Sequence, residues 1–428
     1  MNWKPNRKRL VVFGTAGLTV LGVVLARNFV GGGHSVKRQI PHLYSVHDSA
    51  FDRALGLALG PSIVGGNQVV VLLNGDEIFP AMLLAIRNAQ KTITMETYIY
   101  WAGTIGQQFA AALSERARAG VKVHLLVDWE GSSRMDTGSV AVMEQAGVEF
   151  RKFRPLRWYS LGRVNKRTHR KLLVVDGRIG FTGGVGISDE WTGHAQDSTH
   201  WRDSHFRVEG PVVSELQAAF MDNWIEATGD VLHGDDYFPP LASAGPMAAQ
   251  LFYSSPTGGA ESMELMYLLA ISAAERSIYI SSAYFVPDAF TQDALANALK
   301  RGVRVQIITP GKYMDKKIVR GASRSRWGDL LAAGAEMYEY EPTMYHAKVF
   351  IVDDLLVSVG STNWDPRSFG LNDEANLNIY DADFARRQVE VFRQDLLKSQ
   401  PITLAQWRSR PLHEKFTEWL SSLLGPML

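Results

Sequence analysis

The sequence contains no cysteine among its 428 residues. Disulfide bonds, a thiolate nucleophile and a cysteine-ligated zinc site are therefore excluded, and cysteine usage does not indicate the cellular compartment. An excess of charge of either sign is also lacking, because 45 Lys and Arg residues balance 44 Asp and Glu residues to a net charge of +1. Nucleic-acid-binding domains usually carry a strong basic excess, so this balance argues against that class while leaving local basic patches open.

An uncharged apolar run at 10–26 follows a basic N-terminus. The run is short for a membrane-spanning helix and longer than the usual hydrophobic region of a signal peptide. We predict an uncleaved membrane anchor, with cleavage after Ala26 as the alternative. The preceding basic residues predict a cytoplasmic N-terminus and an extracytoplasmic remainder. With the glycines at 31–33 as a flexible tether, this N-terminal segment covers 1–33.

The rest of the chain is long enough for two domains or two fused half-domains, and 46% of all residues are hydrophobic. Predicted helices and strands alternate in both halves, as in an α/β fold. The first half has strands at 68–73, 92–100 and 121–128 and helices at 79–90 and 105–119. The second half has helices at 264–274 and 290–301 and strands at 277–285 and 303–309. Gly120 and Gly302 follow equivalent helices and are predicted C-terminal caps.

One pattern, His-x-Lys-x4-Asp, occurs in each half. Its two copies are His169, Lys171 and Asp176, and His346, Lys348 and Asp353. A His and a Lys two residues apart point to the same face of an extended strand, and the apolar residues that follow predict a buried strand. A turn of small residues follows each copy, at 183–184 and 360–363. Together with the repeated α/β order, the motif indicates an internal duplication, with halves at 34–240 and 241–428.

The two copies resemble the paired HKD motifs of the phospholipase D superfamily, and the chain is similar to bacterial cardiolipin synthases over nearly all residues after 65. The similarity includes residues 187–190, 201–203, 209–211, 284–288 and 364–369. The resemblance and the repeat together imply two α/β/α sandwich lobes with one active site at their pseudo-twofold seam. One departure is Gly186, where those synthases usually have Asn. Since the second copy keeps Asn363, we expect a less symmetric site that depends more on Lys171.

A phosphodiester is difficult to attack because its oxygens are negative. A site therefore needs cations on those oxygens, an activated nucleophile and an acid for the leaving alkoxide. Two His and two Lys supply that set without a metal or cofactor. The resemblance implies that His169 forms a covalent phosphohistidine and that His346 is the acid and base, although the residues alone do not order them. We expect Lys171, Lys348 and Asn363 to hold the phosphoryl oxygens.

Two carboxylates, Asp203 and Glu374, stand at equivalent positions where alternating strands begin. A carboxylate that accepts a hydrogen bond from a catalytic His fixes its tautomer and raises its basicity, and the resemblance implies that role for both. We assign Ser361 and Gly184, from the small-residue turns, as supporting residues.

The motif aspartates end apolar strands, where an isolated charge would be costly. We therefore expect Asp176 and Asp353 to hold the site together rather than to take part in the chemistry.

Two further segments suggest a membrane surface. The stretch 151–170 combines basic residues with Trp158 and Tyr159 and has no acidic residue, which suits an anionic bilayer or a nucleic-acid groove. Near the C-terminus, apolar residues recur at helical intervals over 412–424. They predict an amphipathic helix that packs on the core, with attachment to the membrane interface, aided by Arg408 and Arg410, as the alternative.

The leading functional hypothesis is a membrane-bound phosphatidyltransferase that joins two phosphatidylglycerol molecules into cardiolipin and releases glycerol. The anchor, the basic stretch and the terminal helix favour it. The alternative is a phospholipase D-type hydrolase acting on a lipid or, less in keeping with the charge balance, on nucleic acid. A catalytically idle membrane scaffold is a third hypothesis, but it has no chemical need for two intact motifs. The sequence makes no prediction of oligomeric state.

Overall fold

The computed structural model describes residues 38–157, 165–256 and 262–423, together with residues 19, 22, 23 and 36. The predicted membrane anchor at 10–26 therefore lies almost wholly outside the described residues. Among those that are described, no helix is both long and apolar enough to cross a bilayer.

The first half of the chain alternates helices and strands, as the sequence predicts. Its helices are α1 (Ser49–Ala58), α2 (Asn74–Asn88), α3 (Thr104–Arg118), α4 (Thr137–Gln145) and α5 (Val213–Thr228). Its strands are β1 (Val64–Leu73), β2 (Thr92–Thr97), β3 (Lys122–Asp128), β4 (Glu149–Phe153), β5 (Leu172–Val175), β6 (Ile179–Gly183) and β7 (Ser204–Glu209). A short 3₁₀ helix, Asp189–Trp191, precedes β7.

The second half repeats this order. Its strands are β8 (Met247–Ser254), β9 (Ser277–Ser281), β10 (Arg304–Pro310), β11 (Glu336–Tyr340), β12 (Val349–Val352), β13 (Leu356–Gly360), β14 (Glu374–Tyr380) and β15 (Ser399–Ile402). Its helices are α6 (Met263–Ala273), α7 (Ala289–Lys300), α8 (Lys317–Ser325), α9 (Trp327–Ala333), α10 (Pro366–Gly370), α11 (Ala382–Leu396), α12 (Leu404–Arg408) and α13 (Leu412–Leu423).

The described strands form one mixed sheet of 15 strands in which the two halves have matching orders. The first half runs β1-β7-β6-β5-β2-β3-β4, and the second runs β8-β14-β13-β12-β9-β10-β11 with β15 added at its edge. The halves join where β1 pairs antiparallel with β8, at Val64↔Ala249 and Asn67↔Met247. This repeated order is the structural form of the duplication seen in the sequence. The exact lobe limits, 34–240 and 241–428, stay a prediction.

Helices cover both faces of the sheet because both faces of most strands are apolar. Helices α2 and α3 cover one face of the first half, and α6, α7 and α9 cover the corresponding face of the second. On the opposite face, α5 and α11 share one core that crosses the seam. In that core the rings of Phe206 and Phe384 lie 6.3 Å apart. Segment 38–61, predicted within the first lobe, instead packs on the second half, where Phe51 and Leu55 join the core around Met266.

Glycine positions and strand ends test the finer predictions. Gly120 and Gly302 follow α3 and α7 with φ of 91° and 92°, a conformation that favours glycine, which confirms the predicted caps. The strands predicted at 92–100 and 277–285 are shorter than expected, ending at Thr97 and Ser281. Beyond these ends the chain pairs instead with the loops after the motifs, through Tyr100↔Ile187 and Phe285↔Trp364.

The C-terminal helix α13 forms as predicted, but packing on the core is the wrong explanation for its apolar row. The helix turns Glu418 inward, where that side chain pairs with Arg324 and Arg410. Its apolar side chains remain exposed: Leu412, Phe416, Trp419, Leu420 and Leu423.

Candidate active site

Backbone pairing across the seam brings the two motifs together. Thr168 bridges to Asp373, and Tyr345 bridges to Arg202, in each case just before the carboxylate of the opposite half. The backbone N–H of His169 donates to the carbonyl of Asp373 over 2.8 Å, and that of His346 donates to the carbonyl of Arg202 over 2.7 Å. Each motif histidine is thereby held beside a carboxylate that its own half does not supply.

The side chains complete two crossed histidine–carboxylate pairs. Nδ1 of His169 lies 3.0 and 2.9 Å from the two carboxylate oxygens of Glu374, and Nδ1 of His346 lies 2.7 Å from Oδ2 of Asp203. Only 9% of His169 and 6% of His346 is exposed. Because each carboxylate engages Nδ1, Nε2 is the nitrogen of each imidazole that no carboxylate contacts and that a substrate can reach.

Different donors hold the two carboxylates. Asp203 accepts from the indole Nε1 of Trp191 over 2.9 Å and from the backbone N–H of Ser204 over 2.8 Å. A Cβ at Gly184 would lie 2.3 Å from Oδ1 of Asp203, so this position has no room for a side chain.

Glu374 instead accepts from the Ser361 hydroxyl over 2.5 Å and from the Asn372 amide over 3.4 Å. Ser361 follows β13 as Gly184 follows β6. The Ser361 hydroxyl therefore contacts Glu374 in one half, whereas in the other half the equivalent position, Gly184, offers Asp203 no side chain.

Each of the two motif lysines bonds to the histidine of its own motif. Lys171 Nζ donates to the carbonyl of His169 over 2.6 Å, and Lys348 Nζ donates to that of His346 over 2.7 Å. Lys348 Nζ also lies 3.2 Å from Nε2 of His346. Burial lowers the pKa of Lys348 to about 8 and also lowers that of Lys171, because an ammonium group is poorly solvated here.

Burial and the nearby lysines also favour neutral imidazoles. They lower the pKa of His346 to about 4 and that of His169 well below its usual value. The carboxylates respond in opposite directions. Burial raises the pKa of Glu374. For Asp203, the charge and hydrogen bond of His346 and the charge of Lys348 outweigh burial and lower the pKa. Both imidazoles are thus neutral in the free site, and the Asp203 pair is the less unfavourable of the two for a protonated histidine.

The motif aspartates lie at the far ends of β5 and β12, away from the histidines. Asp176 accepts from the backbone N–H groups of Gln90, Lys91 and Thr92 over 2.7 to 3.2 Å, just where β2 begins. Asp353 accepts from three equivalent N–H groups before and at the start of β9, each over 2.8 Å. Both aspartates therefore tie neighbouring strands together, and the bonds fully occupy groups that would be costly to bury alone.

The chain matches a protein-family model and several curated relatives. The family model described as the phospholipase D-like domain of cardiolipin synthase matches residues 82–224 and 267–396. A cardiolipin synthase of Geobacillus kaustophilus is 38% identical over 365 residues, covering 85% of this chain and 72% of its own. The major cardiolipin synthase of Bacillus subtilis is 36% identical, covering 85% and 76%.

The chain belongs to the cardiolipin synthase family of phospholipase D-like proteins. It is accordingly a phosphatidyltransferase-type enzyme of that superfamily. The fold resembles that of phosphatidylserine synthase from Haemophilus influenzae Rd KW20, with a TM-score of 0.66 at 15% identity over 89% of this chain and 100% of that one. Polyphosphate kinase from Porphyromonas gingivalis matches with a TM-score of 0.54 at 13% identity, over 83% and 53%. These two likenesses confirm the predicted phospholipase D-like α/β fold.

The departure from the family pattern at Gly186 has a steric counterpart in the structure. A Cβ at Gly186 would lie 2.9 Å from Cβ of Ile99, so a larger residue would require that side chain to move. In the other half, Asn363 is 3% exposed, and within the described residues its Oδ1 has no hydrogen-bond partner. The amide group is therefore present on one side of this cardiolipin synthase-type site only.

Aromatic rings pack around both histidines, and the sequence analysis gave them no role. The Tyr98 ring lies 5.4 Å from that of His169, and the Trp191 and Trp201 rings lie 5.3 and 5.4 Å from that of His346. Trp201 stands two residues before Asp203 in the sequence, and this position next to a predicted site residue could have indicated that it lies near His346. Nothing in the local sequence marked Tyr98 or Trp191.

Buried polar groups beneath the first motif form a second feature that the sequence did not indicate. Glu96 accepts from the Thr168 hydroxyl over 2.5 Å and from the Asn223 amide over 2.6 Å, and burial raises its pKa to about 7. These bonds fix the residue that precedes His169. Glu96 and Asn223 are distant from Thr168 in the sequence, so the spacing of residues around the motif could not indicate them.

The equivalent position before His346 is held by a different set. The Tyr345 hydroxyl lies 2.8 Å from Oγ of Ser281 and 3.1 Å from Oδ2 of Asp395. Asp395 also accepts two bonds from the Arg202 guanidinium, over 2.9 and 2.8 Å. The two motifs are thus supported by unlike residues at matching places.

Part of the basic stretch before the first motif bonds to the protein interior, whereas Arg151, Lys152 and Arg157 are exposed. Arg154 bonds to Glu226 and Asp373, and Arg167 is 1% exposed and lies 3.7 Å from Asp128. The prediction that the whole stretch faces an anionic surface is therefore wrong for these two arginines. Residues 158–164 lie outside the described residues. In the described part of the chain, no three His, Cys, Asp or Glu side chains group as metal ligands.

Proposed function

We propose that this enzyme transfers a phosphatidyl group from one phosphatidylglycerol molecule to the hydroxyl of another, forming cardiolipin and releasing glycerol. The observation that carries the proposal is the pair of crossed histidine–carboxylate contacts, with two lysines, in one buried site. Two histidines allow one to form a bond to phosphorus while the other moves a proton. That division suits group transfer through a covalent intermediate.

In the first step, Nε2 of neutral His169 attacks phosphorus of the donor lipid. His346 takes up a proton when the anionic phosphodiester binds beside it. As the bond from phosphorus to the glycerol oxygen breaks, Nε2 of His346 gives that proton to the oxygen, so glycerol leaves neutral. Lys171 and Lys348, with the amide of Asn363, stabilise the charge that develops on the phosphoryl oxygens. The product of this step is a phosphatidyl group bonded to His169.

In the second step, the hydroxyl of a second phosphatidylglycerol attacks phosphorus. Neutral His346 takes the hydroxyl proton as the new phosphorus–oxygen bond forms and the phosphorus–nitrogen bond to His169 breaks. Glu374 and Asp203 keep the two rings oriented throughout, and Asp203 stabilises the imidazolium form of His346. Each residue returns to its starting protonation state, so the cycle balances.

The assignment of the two histidines is supported by their carboxylate partners. Because the pKa of Asp203 is lowered, its negative charge persists beside His346 and favours a proton there. Because the pKa of Glu374 is raised by burial, the environment of His169 is less suited to a cation. His169 is therefore the neutral nucleophile, and His346 is the ring that carries the proton while an anionic substrate is bound.

A lipid acceptor, rather than water, is supported by the burial of the site. Both histidines and both lysines are less than one-tenth exposed, and the aromatic rings of Tyr98, Trp191 and Trp201 crowd the imidazoles. Such surroundings restrict bulk water from the intermediate, which would otherwise be hydrolysed. The apolar run at 10–26 is proposed as the anchor that keeps the enzyme at the cell membrane, with the site on the extracytoplasmic side.

The proposal is tested by lipid mass spectrometry after the detergent-purified enzyme is incubated with phosphatidylglycerol vesicles. Cardiolipin and glycerol in equal amounts are expected from the wild type, and neither from His169→Ala or His346→Ala. Phosphatidic acid with little cardiolipin would replace the transferase with a hydrolase. Conversion of the lipid by both alanine variants would contradict the assigned site.

A further inference from the structure

A cationic cavity lies away from the motifs, between the C-terminal end of α8 and helices α12 and α13. Its volume is about 480 Å³. Four of its lining residues are basic and two are tryptophans: Arg326, Arg408, Arg410, Lys415, Trp407 and Trp419. The functional site described above uses none of them.

The cavity keeps an excess of positive charge after its internal ion pairs are counted. Its one acidic lining residue is Glu418, which pairs with Arg410 over 2.6 Å and with Arg324 over 3.0 Å. Arg326, Arg408 and Lys415 are therefore left facing the cavity without an acidic lining partner. Within the described residues, the buried Nε of Arg326 has no hydrogen-bond partner. An anion in the cavity would balance the charge of Arg326, Arg408 and Lys415.

The exposed apolar row of α13 runs directly beside this cavity. Phe416 is 61% exposed and Leu423 is 56% exposed, and Trp419, 55% exposed, belongs both to the row and to the cavity wall. The helix is firmly placed, because α8 approaches it so closely that a Cβ at Gly321 would lie 2.7 Å from Oγ of Ser421. The apolar row is thus held in a fixed position next to the cationic cavity.

This combination matches the chemistry of an anionic phospholipid in a bilayer. Cations pair with the headgroup phosphate, Trp settles at headgroup depth, and apolar side chains enter the acyl region. A soluble anion would use the cavity and leave the row exposed to water. A nucleic acid would likewise offer nothing to the leucines and Phe416.

We propose that the cavity and the row form an accessory site for an anionic phospholipid of the bilayer, separate from the active site. Helix α8 begins beside Lys316, whose charge, after burial and nearer cations, contributes to the lowered pKa of His169. The cavity lies at the other end of α8, about 12 Å away at 1.5 Å per residue. A lipid held there would orient the second half of the enzyme on the membrane. The proposal rests on the proposed function only in taking a membrane lipid as ligand.

The absence of cysteine allows a direct test with single labelled sites. Phe416→Cys in the row and Thr417→Cys beside it are each labelled with bimane in the full-length chain. Both carry His169→Ala, so that phosphatidylglycerol is not consumed. The proteins are reconstituted into vesicles of phosphatidylcholine alone or with phosphatidylglycerol, and acyl-chain spin labels quench the fluorophore.

Quenching at position 416 is expected to be at least about twofold stronger with phosphatidylglycerol than with phosphatidylcholine alone, and unchanged at position 417. Adding Arg408→Gln and Lys415→Gln removes the difference. The matched control is Arg87→Gln with Arg118→Gln, on α2 and α3, which removes the same charge from exposed positions. This control should retain the difference in quenching between the two kinds of vesicle.

Three results would overturn the proposal: equal quenching in both vesicles, no quenching at position 416, or a difference that survives Arg408→Gln with Lys415→Gln. Since the measurement uses an inactive variant, its failure is independent of the transferase assay. Quenching as expected without cardiolipin formation by the wild type would instead remove the proposed function and leave the accessory site.

Discussion

The two halves of the active site share one backbone plan, but a different carboxylate faces the histidine in each half. His169 faces Glu374, which a serine hydroxyl contacts, whereas His346 faces Asp203, which an indole N–H and a backbone N–H contact. The strand orders and backbone bridges around them are equivalent. The difference therefore lies in side-chain chemistry and not in position.

This comparison shows how a duplicated fold can divide one reaction between two copies of a motif. Burial alone treats both histidines alike and lowers the pKa of each. The carboxylates break that equality, since the pKa of Asp203 is lowered and that of Glu374 is raised. On this account, a proton is less disfavoured at His346 than at His169.

The largest expected effect comes from removing either histidine and then changing the leaving group. His169→Ala and His346→Ala should each lower kcat with phosphatidylglycerol by about 10⁴-fold or more, since each removes an essential group. With a phosphatidyl p-nitrophenol, whose leaving group needs no proton, His346→Ala should regain a rapid burst of nitrophenol. Stopped-flow absorbance measures the burst, and a burst from His169→Ala alone would reverse the two roles.

Substitution of the two carboxylates should give smaller losses of activity that also respond differently to the leaving group. Asp203→Asn and Glu374→Gln keep the size of each side chain and remove its charge, and a loss of about 10² to 10⁴-fold in kcat is expected for each. The loss in Asp203→Asn should shrink with the nitrophenyl substrate, while that in Glu374→Gln should persist. Steady-state kinetics with both substrates compares them, and equal recovery would mean that the halves do not differ.

The lysines predict the direction of the alkaline pH dependence. Lys348 is charged below its pKa of about 8 and neutral above it, and the lowered pKa of Lys171 acts in the same direction. Since the free enzyme needs these cations to bind a phosphodiester, kcat/KM should fall about tenfold per pH unit above that value. A value of kcat/KM that stays constant from pH 8 to 10 would contradict this role of the lysines. The kcat measured at saturating substrate over the same pH range serves as the control.

The smallest difference is expected where the halves are alike. Asp176→Asn and Asp353→Asn each weaken three backbone contacts, so each should lower the free energy of unfolding by about 1–3 kcal/mol. Urea denaturation measures that loss, and the kcat of the folded protein should change little. A large fall in kcat without loss of stability would give these aspartates a part in the chemistry.

Much of the fold and many of the site residues could be predicted because local sequence patterns determine them. The α/β fold follows from alternating periodicity, and the motif residues and both carboxylates follow from repetition at matching places. Strand ends were less accurate at Thr97 and Ser281, because pairing with a distant loop, not local propensity, decides where each strand ends.

The crossing of the pairs could not be predicted from spacing. Nothing near His169 indicates that its partner lies in the other half, since only the folded seam places Glu374 beside it. The same holds for Arg154, which resembles a surface cation in sequence yet pairs with Asp373 across the seam. Long-range electrostatic pairing leaves no periodic signal in either segment.

The division of roles between the halves is tested most directly by trapping the covalent intermediate. Rapid acid-free quenching of the enzyme with a short-chain phosphatidylglycerol, followed by proteolysis and mass spectrometry, would locate the phosphatidyl group. The account predicts the adduct on the peptide that contains His169, with accumulation in His346→Ala when the nitrophenyl substrate is used. An adduct found on His346 instead would contradict the assignment of the nucleophile.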